Sequence, residues 1–289
     1  MRAAVYRRFG TPDVVQVEDV PVPTVGRGEL LIHVRASTVS AADRRTRTLE
    51  VPRGLWLPSV LTLGVRRPRR PVLGMDVAAV GADVTRFTVG HEVIAMLGAR
   101  LGGHAEYAVV AQDGAVTPKP ASLGFEDAVT LVFGGITARA YLNQVDLRAG
   151  SRVLVNGASG AVGTAAVQLA KHAGAHVTAV CRGANAGLVT ALGADLVVDY
   201  TTSDFTAEDT TYDVVVDCVG NAPFSAVRHL LAPGRALLLN TTGLMSRDRV
   251  ADPVVPAARS GLETAVEHHR RPFHARPQPD VVGGQGDCL

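Results

Sequence analysis

The stretch Val153-Leu154-Val155-Asn156-Gly157-Ala158-Ser159-Gly160-Ala161-Val162-Gly163 decides the fold. Its first residues are apolar and uncharged and read as a buried strand. After a glycine turn, Val162, Ala165, Ala166, Leu169, Ala170 and Ala173 recur at helical spacing, and Gly174 supplies a C-cap. A strand that passes through such a turn into a helix has the shape of a nucleotide-binding turn. The three glycines then serve three physical ends, namely a tight turn, close approach of backbone N–H groups to a pyrophosphate, and close packing of helix on strand. Phosphate charge would sit at the positive end of the helix dipole. The spacing is Gly-x-x-Gly-x-x-Gly rather than Gly-x-Gly-x-x-Gly, so the turn alone is equally compatible with a structural strand-to-helix connection. The surrounding sequence must discriminate.

Downstream, further apolar runs occur at Val177–Val180, Leu196–Val198, Val214–Val216 and Ala236–Leu239, separated by intervals of helical length. Such spacing marks parallel strands buried on both faces, hence a doubly wound sheet with its ligand crevice at the carboxyl ends of the strands. Phe125 to Leu142 reads as mostly helical. Upstream, Ala3–Tyr6, Val14–Val17, Leu30–Val34, Val93–Met96 and Ala105–Val110 are short strand candidates separated by Gly, Pro and Asp turns, which suggests a small β-rich barrel. A less regular stretch runs from Ala41 to Pro71. Its basic run, Arg66-Arg67-Pro68-Arg69-Arg70, is read as a solvated loop in preference to a phosphate or nucleic-acid patch. Pro118-Lys119-Pro120 marks the domain boundary.

The 289 residues suffice for two cores, and 47% hydrophobic with only 4% aromatic content describes an α/β protein. A formal charge of +2 argues against nucleic acid or an anionic membrane as the main partner. Cys181, Cys218 and Cys288 are far apart in sequence, without metal or disulfide spacing, and a reducing, cytoplasmic setting is expected. The N-terminal residues lack the apolar core of a signal peptide, and the uncharged run 153–170 is too polar for a membrane span.

Several motifs in order carry a resemblance: Gly28-Glu29-Leu30-Leu31, Gly103-His104-Ala105-Glu106-Tyr107, Pro118-Lys119-Pro120, Gly135-Ile136-Thr137-Ala138, the glycine turn, and Asp217-Cys218-Val219-Gly220. The chain resembles zinc-independent members of the medium-chain dehydrogenase/reductase superfamily, of the quinone-reductase type, over about residues 1 to 240. The resemblance implies a GroES-like β-rich barrel domain (1–118), a Rossmann domain (119–245) and a cleft between them in which NADPH gives hydride to a small-molecule carbonyl or quinone. Similar proteins commonly form homodimers. Residues 246–289 form an atypical ending: from Arg259 the sequence is polar and interrupted by proline, with little periodicity, and is expected to be poorly ordered. The ending is read as truncated relative to the family, and His268, His269 and His274 within it as an unstructured group in preference to a metal site. The segment Gly74–Gly81 is shorter than its counterpart in relatives, so a barrel strand is expected to be clipped.

Cofactor choice follows from charge. NAD enzymes of this architecture carry an acid at the end of the second strand, whereas Val180 here is followed by Cys181-Arg182-Gly183, leaving Arg182 to pair with a 2′-phosphate or to stand in solvent. The expected cradle is Gly157, Ala158, Ser159, Gly160, Ala161, Val162 and Gly163. The resemblance assigns Tyr200 to the adenosine phosphate, Thr137 to the nicotinamide side, and Val219 and Gly220 to the cofactor ribose; a helix-capping Thr137 is the alternative.

No zinc is expected. Where zinc-dependent relatives carry a Cys and a Gly-His-Glu motif, this chain has Ser40 and Gly74-Met75-Asp76, and His91 in Gly90-His91-Glu92 falls on a surface turn. Ser40 is a candidate substrate contact or proton donor. Without a Lewis acid, an electron-poor acceptor such as a quinone or an α,β-unsaturated carbonyl is favoured. Two other functions stay open: a dinucleotide-binding protein with little turnover, because of the ending, and an alcohol dehydrogenase-type enzyme.

Overall fold

The computed structural model describes residues 1–50, 63–82 and 86–239. The atypical ending, with its histidines, lies outside the described residues.

The glycine turn leaves the central strand of a five-stranded parallel sheet. In chain order its strands are β8 (Arg152–Asn156), β9 (His176–Cys181), β10 (Leu196–Asp199), β11 (Tyr212–Asp217) and β12 (Leu231–Leu239), arranged β10-β9-β8-β11-β12. The chain winds outward from β8 to β10, crosses back, and resumes on the other side at β11. The order therefore reverses between β8 and β11, where ligands bind in open α/β sheets. Period-two alternation divides the side chains between two cores. Val153, Val155, Val177, Ala179, Val214 and Val216 face one side with Val162, Ala166 and Ala170 of the helix α4 (Ala161–His172). Leu154, Val180 and Val215 face the other, with Phe205, Tyr212, Val227 and Leu230. Burial on both faces explains why these strands are apolar throughout.

The upstream residues build an antiparallel five-stranded sheet in the order β6-β3-β4-β5-β7, formed by β3 (Glu29–Ser37), β4 (Asp76–Ala82), β5 (Glu92–Met96), β6 (Tyr107–Ala111) and β7 (Val116–Pro118). A two-stranded ribbon, β1 (Arg2–Tyr6) with β2 (Val15–Asp19), is joined by bridges from Ala3 to Ala105 and from Val5 to Val72. Alternate residues Leu30 and Ile32, Val93 and Ala95, and Ala108 and Val110 point into one core with Phe87 and Val116. This is the GroES-like barrel that the sequence led us to expect. The segment expected to be clipped contributes the central strand, in which Asp76–Ala82 pairs with both β3 and β5. Pro118, in the motif read as the domain boundary, is the last residue of β7.

One helix was not anticipated. α1 (Ala41–Thr48) lies within the stretch read as irregular. Its start is a reciprocal capping box in which the Ser40 amide donates to Asp43 Oδ2 at 2.8 Å and the Asp43 amide to Ser40 Oγ at 3.4 Å. The Ser-x-x-Asp spacing was the available signal.

Residues 125–142 are helical as expected, in three parts: α2 (Phe125–Thr130), a π-helical turn (Leu131–Gly135) and α3 (Ile136–Leu142). In the turn, the Ile136 amide reaches back to the Leu131 carbonyl. α2 packs on β3 and β4, whereas the π turn and α3 pack on α4, so this one helical rod touches both sheets.

Candidate dinucleotide site

The start of α4 is shaped as an anion cradle. Gly157 leaves β8 at φ +76°, a left-handed conformation that favours glycine, and a Cβ there would come within 2.7 Å of Val219 Cγ2. Gly163 fits α4 against the strand end, because a Cβ would collide with the Gly157 carbonyl and the Ala158 Cα. Gly160, the N-cap residue, is exposed, and the nearest atom to a Cβ there is the Gly157 carbonyl oxygen at 3.3 Å. No side chain caps the helix. The amides of the first turn, which have no partner within a helix, thus face an open approach at the positive end of the dipole. Ala158 and Val162 are buried supports. Ser159 is tied to the neighbouring loop, its Oγ accepting from Asn185 Nδ2 at 3.1 Å. A pyrophosphate fits this surface, on which side-chain bulk is absent where backbone must approach.

The opposite wall is organised by Asp217, which is fully buried at the end of β11. Its Oδ1 accepts from the amides of Val219 and Gly220 and from Asn156 Nδ2, each at 2.9 Å, and its Oδ2 accepts from the Ala222 amide at 3.0 Å. Asn156 Nδ2 also donates to Asn221 Oδ1 at 2.7 Å. One carboxylate therefore folds the 218–222 loop and ties it to the residue before the glycine turn. Burial of a charge is tolerable only with such complete hydrogen bonding. The sequence placed Asp217 in a motif but assigned it no role, and Asn156 was missed. A polar residue ending an otherwise apolar strand was the signal for both. Beside them, burial pushes the Cys218 thiol up to about 12, helped by the nearby Asp217 charge, so it stays protonated at neutral pH.

Asn156, Gly157, Val219 and Asn221 meet Tyr200 and the segment Thr201–Phe205 around a cavity of about 650 Å³. The structure thus joins the glycine turn, Tyr200 and Val219 at one crevice, at the point where the strand order reverses. Gly220 is exposed on the same loop. Arg182 is exposed at the next turn, after β9, outside this lining. Thr137 is half-buried in the first turn of α3; nearby, Gly134 packs so closely on α4 that a Cβ would collide with the Ala161 carbonyl. Ser40 belongs to the other sheet's surroundings. Its Oγ donates to Asp43 Oδ2 at 2.9 Å, while Asp43 Oδ1 accepts from the Gly74 amide at 2.9 Å. His104 from the Gly103–Tyr107 motif lies close by, its Nε2 within 2.9 Å of the Thr38 carbonyl oxygen. His91 is exposed. Among the described residues no three His, Cys, Asp or Glu side chains group to hold a metal ion, and no helix is long and apolar enough to cross a membrane.

A GroES-like barrel beside a Rossmann sheet, with a glycine cradle at the switch point, defines a class of two-domain dehydrogenases and reductases. Comparison with known proteins agrees. Residues 26–121 match the family described as "Alcohol dehydrogenase GroES-like domain", and residues 161–253 that described as "Zinc-binding dehydrogenase". The chloroplastic quinone-oxidoreductase QR1 of Triphysaria versicolor is 34% identical over 241 residues, 79% of this chain and 71% of that protein. The structure of the quinone oxidoreductase from Coxiella burnetii superposes with a TM-score of 0.77 at 27% identity, covering 94% of this chain and 81% of the other. That of the Thermus thermophilus quinone oxidoreductase, also determined in complex with NADPH, gives 0.65 at 31% identity, covering 82% and 72%. The chain belongs to the medium-chain dehydrogenase/reductase superfamily, as a quinone oxidoreductase-like member, and is an oxidoreductase.

Proposed function

We propose that this oxidoreductase uses NADPH to reduce a quinone or an α,β-unsaturated carbonyl and does so without zinc. The observation that supports the reading most is the uncapped start of α4, where glycine leaves backbone amides open to a diphosphate. The names of its relatives, and the NADPH complex of one of them, agree with that choice.

In this reading the pyrophosphate lies along 157–163 and is held by the first amides of α4, since those of Gly157 and Ala158 donate to the Val180 carbonyl and that of Gly160 to the Gly157 carbonyl, and Arg182 pairs with the 2′-phosphate through its planar guanidinium. Tyr200 packs beside the adenosine, Val219 and Gly220 border the ribose, and Thr137 faces the nicotinamide. The bound coenzyme supplies the hydride; the chain's part is to position the acceptor and exclude water. Ser40 borders the acceptor. Because its hydroxyl already donates to Asp43, solvent is the simpler source of the proton. Absence of zinc rests on donor chemistry: Ser40 and Met75 stand where zinc-dependent relatives carry a thiolate and an imidazole, and neither replaces such a ligand. The free thiols of Cys181 and Cys218 suit a reducing compartment such as the cytoplasm. A homodimer is the expected assembly.

The test is calorimetric titration of the full chain with NADPH and NADH, followed by quinone-dependent NADPH oxidation and zinc analysis. Binding of neither coenzyme defeats the reading. Binding without oxidation across a panel of quinones and enones favours a protein that holds dinucleotide without turnover, and stoichiometric zinc favours alcohol dehydrogenase chemistry. A further expectation concerns Gly160→Val. The added side chain meets only the Gly157 carbonyl oxygen, at 3.3 Å, so the unfolding temperature should fall modestly, while NADPH affinity falls by roughly two orders of magnitude as the pyrophosphate is excluded. Unchanged affinity would move the phosphate elsewhere.

A further inference from the structure

An acid does stand at the turn after β9, but it comes from the next strand. β9 and β10 run parallel with Cys181 opposite Asp199, so the residue ending β10 lies beside the Arg182–Gly183 turn. The Asp199 carboxylate reaches across. Its Oδ2 lies so close to Gly183 that a Cβ there would collide with it. Its Oδ1 accepts from the Thr201 amide at 2.9 Å and from Thr201 Oγ1 at 2.8 Å. These bonds, with the charge of Arg182 nearby, hold its carboxyl below the usual carboxylate range. It is therefore ionised throughout the neutral range.

We propose that Asp199 is a specificity-determining residue for the coenzyme: by setting a negative charge beside the Arg182–Gly183 turn, it limits how strongly the site favours the 2′-phosphorylated dinucleotide. This inference rests on the reading of Arg182 as the phosphate's partner. The guanidinium's field is partly cancelled for a 2′-phosphate, which carries nearly two negative charges, and hardly matters to a neutral 2′-hydroxyl. The protein should then accept NADH as well as NADPH, with a smaller preference than Arg182 alone would give.

Calorimetric dissociation constants for NADPH and NADH, measured on wild type, Asp199→Asn, Asp199→Ser and Arg182→Gln at low and high salt, test this. In both Asp199 variants the preference for NADPH should rise roughly tenfold at low salt, mostly through tighter NADPH binding, and the gain should shrink at high salt. An equal loss of affinity for both coenzymes with unchanged preference would make Asp199 only a brace for the turn and overturn the proposal, as would a fall in preference. The Asp199→Ser variant guards against a misplaced Asn amide, and matching circular dichroism spectra establish that the variants fold. The Arg182→Gln arm separates the two claims. If it leaves NADPH affinity unchanged while the Asp199 variants still shift preference, the assignment of Arg182 fails and the influence of Asp199 on coenzyme choice stands.

Discussion

Asp217→Ala is expected to destabilise the chain by on the order of 4 kcal/mol and to weaken NADPH binding at least tenfold. The carboxylate is fully buried and receives four hydrogen bonds, from the Val219, Gly220 and Ala222 amides and from Asn156 Nδ2. Alanine leaves the buried Ala222 amide without its acceptor and takes one from Asn156 Nδ2, while the part-buried Val219 and Gly220 amides can turn to water; each buried unsatisfied donor costs roughly 1–3 kcal/mol, less whatever entering water recovers. The 218–222 loop then loses its anchor to Asn156, and with it the contact of Val219 on Gly157. Urea denaturation gives the stability change and calorimetry the affinity. A loss below about 1 kcal/mol would show that the loop is held by other means. Asp217→Asn separates the two effects: it keeps one acceptor oxygen but turns an amide donor toward another donor, so it should fall between alanine and wild type.

Gly163→Val is expected to be the most damaging change at the glycine turn. Its Cβ would collide with the Gly157 carbonyl and stand 2.7 Å from the Ala158 Cα, both backbone atoms that cannot rotate away. α4 must then lift from β8, opening the core formed by Val162, Ala166 and Ala170 against the strands. Overpacking of this kind costs about 1–3 kcal/mol and occasionally more. We expect about 3 kcal/mol and a fall of roughly 10 °C in unfolding temperature for a chain of this length. Gly160→Val, three residues earlier, should cost less stability and remove binding. If the two variants behaved alike, the division between a packing glycine and an approach glycine would be wrong.

That division was visible in sequence only as a spacing. The parallel sheet was legible because strands buried on both faces are uniformly apolar, and the barrel because its strands alternate between turn residues. α1 was hidden because Arg44, Arg45 and Arg47 give it no apolar face, and only its cap announces it. At the site, the shape of the glycine turn could be read from its glycines because their conformational freedom is a local property. The contacts of Asp217 with Asn156 and of Asp199 with Gly183 could not, since strand pairing brings those partners together. Asp199 is the sharper case. Inspection of β9 alone finds no acid after Val180, whereas the parallel register with β10 delivers one to the same turn.

The π-helical turn at Leu131–Gly135 bears on how Thr137 is aimed. Ordinary helical geometry advances each residue by about 100° around the axis. A hydrogen bond that spans one residue more than usual, from Ile136 back to Leu131, shifts everything after it relative to everything before. Thr137 therefore does not share a face with α2 residues at the spacing a uniform helix would dictate. The end of the rod that touches the barrel and the end that touches α4 are phased independently, and the wide turn between them sets the offset. Removing one residue from that turn would leave both ends helical yet swing Thr137 about a quarter-turn relative to α2, a change of alignment without a loss of structure.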